Sequence, residues 1–171
     1  MIVETGTGIS NSNSYVSLVD ADAYHLLFDH TDWAGEDSLK ETALILATQA
    51  VDLLYGDRYQ SLKIYQNGTE LLFPRFPFVD TYGNLHSASI PQVLKNAVCE
   101  IALMHLNGDD IIPSFNNDGS LSEKTVIIDT LEFTDKYRNS VQTETFTGYH
   151  KIELFLKPIL VSKTKTISMH L

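Results

Sequence analysis

The sequence predicts a mainly α fold: a small bundle of three to four helices with a β-hairpin arm and an extended C-terminal tail. Three observations predict it. The stretch from Ser89 to Gly108 is apolar nearly all round, as in a helix packed on several sides. Residues 36–55 place Leu39, Ala43, Leu46, Ala47, Ala50, Leu53 and Leu54 at three- and four-residue steps. Beyond residue 124 the pattern changes to β-branched and alternating runs.

Taken in order, residues 1–14 are rich in Gly, Ser, Thr and Asn and read as a flexible arm. A first helix is expected after Ser17, with Asp20 complementing its dipole. Val19, Ala23, Leu26 and Leu27 form its expected core face, and Tyr24 and Phe28 add an aromatic strip. It ends near His30, and a short linker carries Trp33. The second helix spans about Glu36 to Tyr55 and stops at Gly56. Its alanines allow another helix to come close.

Residues 57–88 form a long loop with Pro74, Pro77 and a Tyr82-Gly83-Asn84 turn that suits a short hairpin. The third helix follows, with Ser89 as its cap, Pro91 in its first turn and Asn107-Gly108 as its stop. Leu94, Ala97, Val98, Ile101 and Met104 make one apolar face, and Gln92, Asn96 and Glu100 a thin polar stripe. After a polar loop, Thr125–Phe133 and Val141–Phe146 suggest a hairpin turning through 135–140. A short helix near 149–161 is interrupted by Pro158. The expected organisation is therefore an arm (1–14), a bundle (15–110) and a hairpin arm, short helix and tail (111–171).

A chain of 171 residues can bury roughly 70% of its unfolded surface without disulfides. Its one cysteine, Cys99, reads as a small core residue. The formal charge of −10, from 22 acidic and 12 basic residues, is poor equipment for gripping phosphates. No run approaches a membrane span, and residues 1–13 lack the pattern of a signal peptide.

No catalytic pattern emerges. The six histidines show no H-x-x-x-H spacing, and Cys99 has no partner cysteine, so no metal or other cofactor is expected. His105 reads as a cation at a helix C-terminus. Asn116-Asn117-Asp118-Gly119 resembles part of a calcium loop, but the twelfth position would be Thr125 instead of a bidentate carboxylate. Serines lack a nucleophile elbow. An enzyme is not expected. Aromatic residues between Tyr55 and Tyr82, interleaved with Arg58, Lys63 and Arg75, could stack on single-stranded bases. Packing of the long loop onto the bundle, or against a neighbour, is the favoured alternative.

A set of short motifs, in order, carries a resemblance. These are Asn13-Ser14-Tyr15-Val16-Ser17, Asp20-Ala21-Asp22-Ala23-Tyr24, Trp33, Ala43-Leu44-Ile45 with Ala47-Thr48 and Asp52, Leu72-Phe73-Pro74-Arg75, Ile90-Pro91, Glu100-Ile101-Ala102-Leu103 and Leu156-Lys157-Pro158-Ile159-Leu160. Together they resemble a family of tailed-phage proteins described either as head–tail connectors (adaptors) or as DnaT-like single-stranded-DNA-binding proteins. The connector description implies a virion structural protein at the head–tail junction, assembled in the host cytoplasm. It implies a ring, commonly of about twelve subunits, that joins the portal protein to a tail or tail-completion protein. Genomic DNA would pass through an acidic lumen without specific binding. On this resemblance Tyr24, Phe28, Arg58, Arg75, Phe76 and Phe78 are expected at subunit contacts, and Lys163, Lys165 and Leu171 at a portal or tail component. The other description implies a replication accessory that binds single strands through Arg58, Lys63, Arg75 and nearby tyrosines.

Overall fold

The computed structural model describes residues 1–64, 71–76, 78–80, 82–83, 85–86, 89–109, 111, 123–128, 131–136 and 150–161. It is mostly helical, with four helices: α1 (Leu18–Leu27), α2 (Asp37–Tyr55), α3 (Gln92–Leu106) and α4 (His150–Leu156). Short strands β1 (Leu62–Lys63) and β2 (Arg75–Phe76) pair antiparallel, as do β3 (Phe78–Val79) and β4 (Leu85–His86). The β3–β4 pair is the hairpin expected across Gly83, whose φ of 85° needs a glycine. A longer hairpin joins β5 (Glu123–Ile128) to β6 (Leu131–Lys136). Contacts divide the chain into one unit of residues 1–112 and 149–171, and a second of residues 113–148.

The helix ends follow local chemistry. The Ser17 hydroxyl accepts from the Asp20 N–H at 3.1 Å, and α1 starts there. At α3 the N-cap is Pro91, not Ser89, and the helix ends one residue before Asn107. At the end of α2 the chain continues into a 3-10 turn, Gly56–Arg58, with Gly56 in a right-handed conformation. Gly56 is therefore no left-handed cap. A Cβ there would collide with the Leu72 side chain, so its value is close approach. Helix α4 passes into a second 3-10 turn, Lys157–Ile159, with Pro158 inside it.

Helix α3 is the centre of the bundle. It packs against α1, α2 and α4. Leu94, Ala97, Val98, Ile101 and Ala102 are fully enclosed. Three neighbours within the same chain thus account for its all-round apolarity, and α3 needs no second subunit to cover it. Ala43, Ala47 and Ala50 of α2 are also fully buried, as their size suggested. Leu39 and Leu53, expected in the core, are exposed. Leu44, Thr48 and Val51 take the buried face instead.

Residues 1–14, expected as a flexible arm, form a closed loop around one carboxylate. Glu4 is 1% exposed. Its Oε1 accepts from the N–H groups of Gly6, Thr7 and Gly8 at 2.7, 2.9 and 3.0 Å, and its Oε2 from Ile9 at 2.7 Å. Val3 bridges Ser14 alongside. A buried carboxylate is tolerable when its lone pairs are this fully satisfied.

Part of the long loop is pinned by a second buried carboxylate. Asp52 Oδ2 accepts from the Tyr15 hydroxyl at 2.7 Å and the Leu72 N–H at 3.0 Å. The Tyr15 oxygen in turn accepts from Phe73 N–H at 3.1 Å. The Phe73–Pro74 peptide bond is cis. Phe73 and Tyr59, both buried, stack edge-on at 4.9 Å.

The expected hairpin is present but its second strand lies earlier. It is Leu131–Lys136, not Val141–Phe146. The calcium-like loop, the tail from Ser162 and the expected strand at 141–146 lie outside the described residues.

Candidate functional site

Helix α1 packs with its apolar stripe turned outward. Val19, Ala23, Leu26 and Leu27 recur at helical spacing and share one side. That side was the expected core face, and the structure reverses it. Val19 is 77% exposed, Leu26 83% and Leu27 79%. The buried side holds Ala21 and His25 instead.

A polar cluster explains why this side turned inward. His25 is 1% exposed and stacks on the Trp33 ring at 4.1 Å. Its Nδ1 meets His30 Nδ1 at 2.9 Å. Trp33 Nε1 donates to Asp22 Oδ1 at 2.7 Å, and Lys40 Nζ donates to the same oxygen at 3.0 Å. These bonds outweigh desolvation and hold the Asp22 carboxyl below its usual range. Burial, with His30 adding to it, pushes the His25 imidazole down to about 4. His25 is therefore a neutral core residue at ordinary pH.

Beside the stripe, α1 and α3 enclose a groove of about 440 Å³. Tyr24, Leu27, Phe28 and Cys99 line it, with Asp20 and Lys95 at its edge, 3.9 Å apart. The Tyr24 hydroxyl donates to Glu100 Oε1 at 2.7 Å, and Lys151 Nζ to Glu100 Oε2 at 2.7 Å. Burial and Glu100 push the Tyr24 phenol well up, so it stays a donor. The Cys99 thiol, pushed up to about 12 by burial, is unreactive. Among the described residues no three His, Cys, Asp or Glu side chains group as metal ligands, and no helix is long and apolar enough to cross a membrane.

The residues picked from sequence separate into two kinds. Tyr24 is half-buried in the groove, while Phe28 is 54% exposed at its edge, its ring 4.8 Å from Tyr24. Phe76 is half exposed on β2, opposite exposed Leu62 on β1. Arg58 and Arg75 are both held by bonds within the fold. Arg58 Nη1 donates to Glu153 Oε1 at 2.8 Å. The Arg75 guanidinium donates to the Gln60 carbonyl at 2.8 Å and to the carbonyls of Ser61, Tyr59 and Leu72, tying β2 to the segment before β1. Tyr55 and Tyr59, candidates for base stacking, are core residues. The side chain of Phe78, together with Tyr65, Lys163, Lys165 and Leu171, lies outside the described residues.

Charge is divided along the chain in a way the total conceals. Residues 1–57 contain ten acidic residues and one basic residue, Lys40, so they carry −9 of the −10. Residues 58–171 contain twelve acidic and eleven basic residues. The outward face of α1 therefore lies in the acidic part. Asp20, Asp29, Asp32, Glu36 and Asp37 are all exposed.

A family model described as "Putative DnaT-like ssDNA binding protein" matches residues 1–171, the full length of the chain. No curated protein matches the chain, and no solved structure does.

Proposed function

We propose, for a chain that belongs to this DnaT-like family, that it works without catalysis as an assembly protein joined to its neighbours through α1. The observation that carries this reading is the outward apolar stripe of Val19, Ala23, Leu26 and Leu27 beside an open groove. Large side chains exposed together in a row mark a surface that another molecule covers. In its finer form the proposal is a head–tail adaptor ring under a phage portal. The acidic N-terminal third suits a channel that DNA must pass without sticking, while the motifs themselves fit either description.

A second reading, single-strand binding, is favoured by the family's description. Two of its expected contacts are used inside the fold, since Arg58 and Arg75 have internal partners. Exposed Tyr82 and Phe76 would then carry the stacking.

Salt separates the two. Contacts between apolar faces persist at high ionic strength, whereas phosphate contacts weaken steeply as salt rises. Sedimentation and oligonucleotide titration across one salt series therefore test both. Assembly that holds at 1 M salt supports the first reading, and a salt-sensitive oligonucleotide affinity without assembly replaces it with the second.

A further inference from the structure

We infer that the α1 stripe is covered by the β5–β6 hairpin of a second copy of the chain, laid on it by the hairpin's apolar face. The inference rests on the assembly reading above and names the surface that reading leaves open. The stripe is one of two surfaces here that want a partner. The hairpin holds the other. Its register sets Val126 opposite Phe133 and Ile128 opposite Leu131. Faces alternate along a strand, so these four residues share one face, and Thr125, Ile127, Glu132 and Thr134 share the other.

The hairpin cannot keep such a face from water by itself. Residues 113–148 form a compact unit of their own. A unit of fewer than about 40 residues is too small for a self-sufficient core and is usually held by disulfides, metals or association. This one contains no cysteine. An isolated pair of strands is marginal in water, and packing against a helix is one way to make it stable. The α1 stripe fits that need in size. At 1.5 Å per residue, Val19 to Leu27 spans about 12 Å. At 3.3 Å per residue, Lys124 to Ile128 spans about 13 Å. It also fits in charge. Asp20 and Lys95 lie together beside the Val19 end of the stripe. Lys124 and Asp135 face each other across the open end of the hairpin, on the apolar face. Lys124 set on Asp20, and Asp135 on Lys95, gives the contact a direction, while the apolar middle supplies its strength. On the assembly reading the cover of α1 belongs to a neighbour, so the hairpin is the neighbour's. The contact joins two different surfaces, and each copy both gives a hairpin and receives one.

The test mixes two variants of the full chain at a concentration where the parent assembles. One carries Leu26→Asp and Leu27→Asp, which spoil the stripe and leave the hairpin. The other carries Val126→Asp and Phe133→Asp, which spoil the hairpin and leave the stripe. Trp33 belongs to the first unit, so its unfolding curve shows whether the bundle is intact in both. By sedimentation each variant alone should be monomeric. Their one-to-one mixture should form a dimer and nothing larger, because one intact hairpin and one intact stripe remain between them. A mixture that stays monomeric overturns the inference. A hairpin variant that assembles like the parent also overturns it but leaves the assembly reading standing, whereas a parent that stays monomeric removes both. A nitroxide on Thr125→Cys, on the other face of the hairpin, locates the contact, since native Cys99 is buried and leaves the label a single site. When labelled chains are mixed with isotope-enriched chains that lack the label, the methyl signals of Leu26 and Leu27 should broaden. Absence of broadening overturns the inference. So does broadening found only in chains that carry label and isotope together, which would put the hairpin on its own helix.

Discussion

The imidazoles of His25 and His30 face each other Nδ1 to Nδ1 at 2.9 Å, with His25 stacked on Trp33. One proton can be shared in that contact, and a second cannot. His25 titrates near 4 in the fold against about 6.5 in the open chain. The unfolded state therefore binds more protons between those values. Stability from this residue is complete above pH 6.5 and lost as pH falls toward 4, by at most about 3 kcal/mol.

Asp52 acts in the opposite sense. Burial lifts its carboxyl to about 6, against 3.8 in the open chain, despite the bonds from the Leu72 N–H and the Tyr15 hydroxyl. Its contribution is complete below pH 3.8 and lost as pH rises toward 6. The two windows overlap, so wild-type stability should be nearly flat from pH 4 to 6. Asp52→Asn should expose the histidine slope, with stability rising with pH. Denaturation at several pH values, followed by the fluorescence of the single tryptophan, checks it.

Arg75 should matter for stability and not for affinity. Arg75→Ala leaves the Gln60 and Ser61 carbonyls without their donor and should cost about 2 kcal/mol. Arg75→Lys should recover little, because one ammonium cannot reproduce the guanidinium fork. Urea midpoints measure the loss. A change in oligonucleotide affinity at unchanged midpoint would place the side chain outside the fold.

Glu4→Gln should loosen the first loop. An amide would aim its own N–H at donors that now meet a carboxylate, costing about 1–3 kcal/mol. Limited proteolysis should then cut within residues 5–13, where the native loop resists.

Much of the bundle was readable from sequence. Ser17 marked the start of α1 and Pro158 the break after α4, and the stretch Ser89 to Gln92 marked the start of α3, although its cap is Pro91 and not Ser89. The direction of α1 was not readable. Periodicity tells which residues share a side, but not which side meets the core. That choice fell to Asp22, His25 and Trp33, whose mutual bonds no spacing rule reveals. Strand β6 was misplaced because its end, Asp135-Lys136, opens the polar run to Ser140 that reads as a turn. In the hairpin Lys124 lies across from Asp135 and Glu123 across from Lys136, so opposite charges fall at paired positions. The inward bonds of Arg75 were not readable because they go to main-chain carbonyls, which leave no trace in sequence. The carboxylate of Glu4, which closes the first loop, was missed for the same reason.

The most direct measurement is sedimentation velocity of the full chain at 1 M salt, with Leu26→Asp and Leu27→Asp as the comparison. Both side chains are exposed, so their replacement should leave thermal unfolding within about 0.5 kcal/mol of the parent. The parent should form a larger species as its concentration rises, and the double variant should remain a monomer with an unchanged melting curve. A parent that stays monomeric throughout, or a double variant that assembles equally well, would contradict the account.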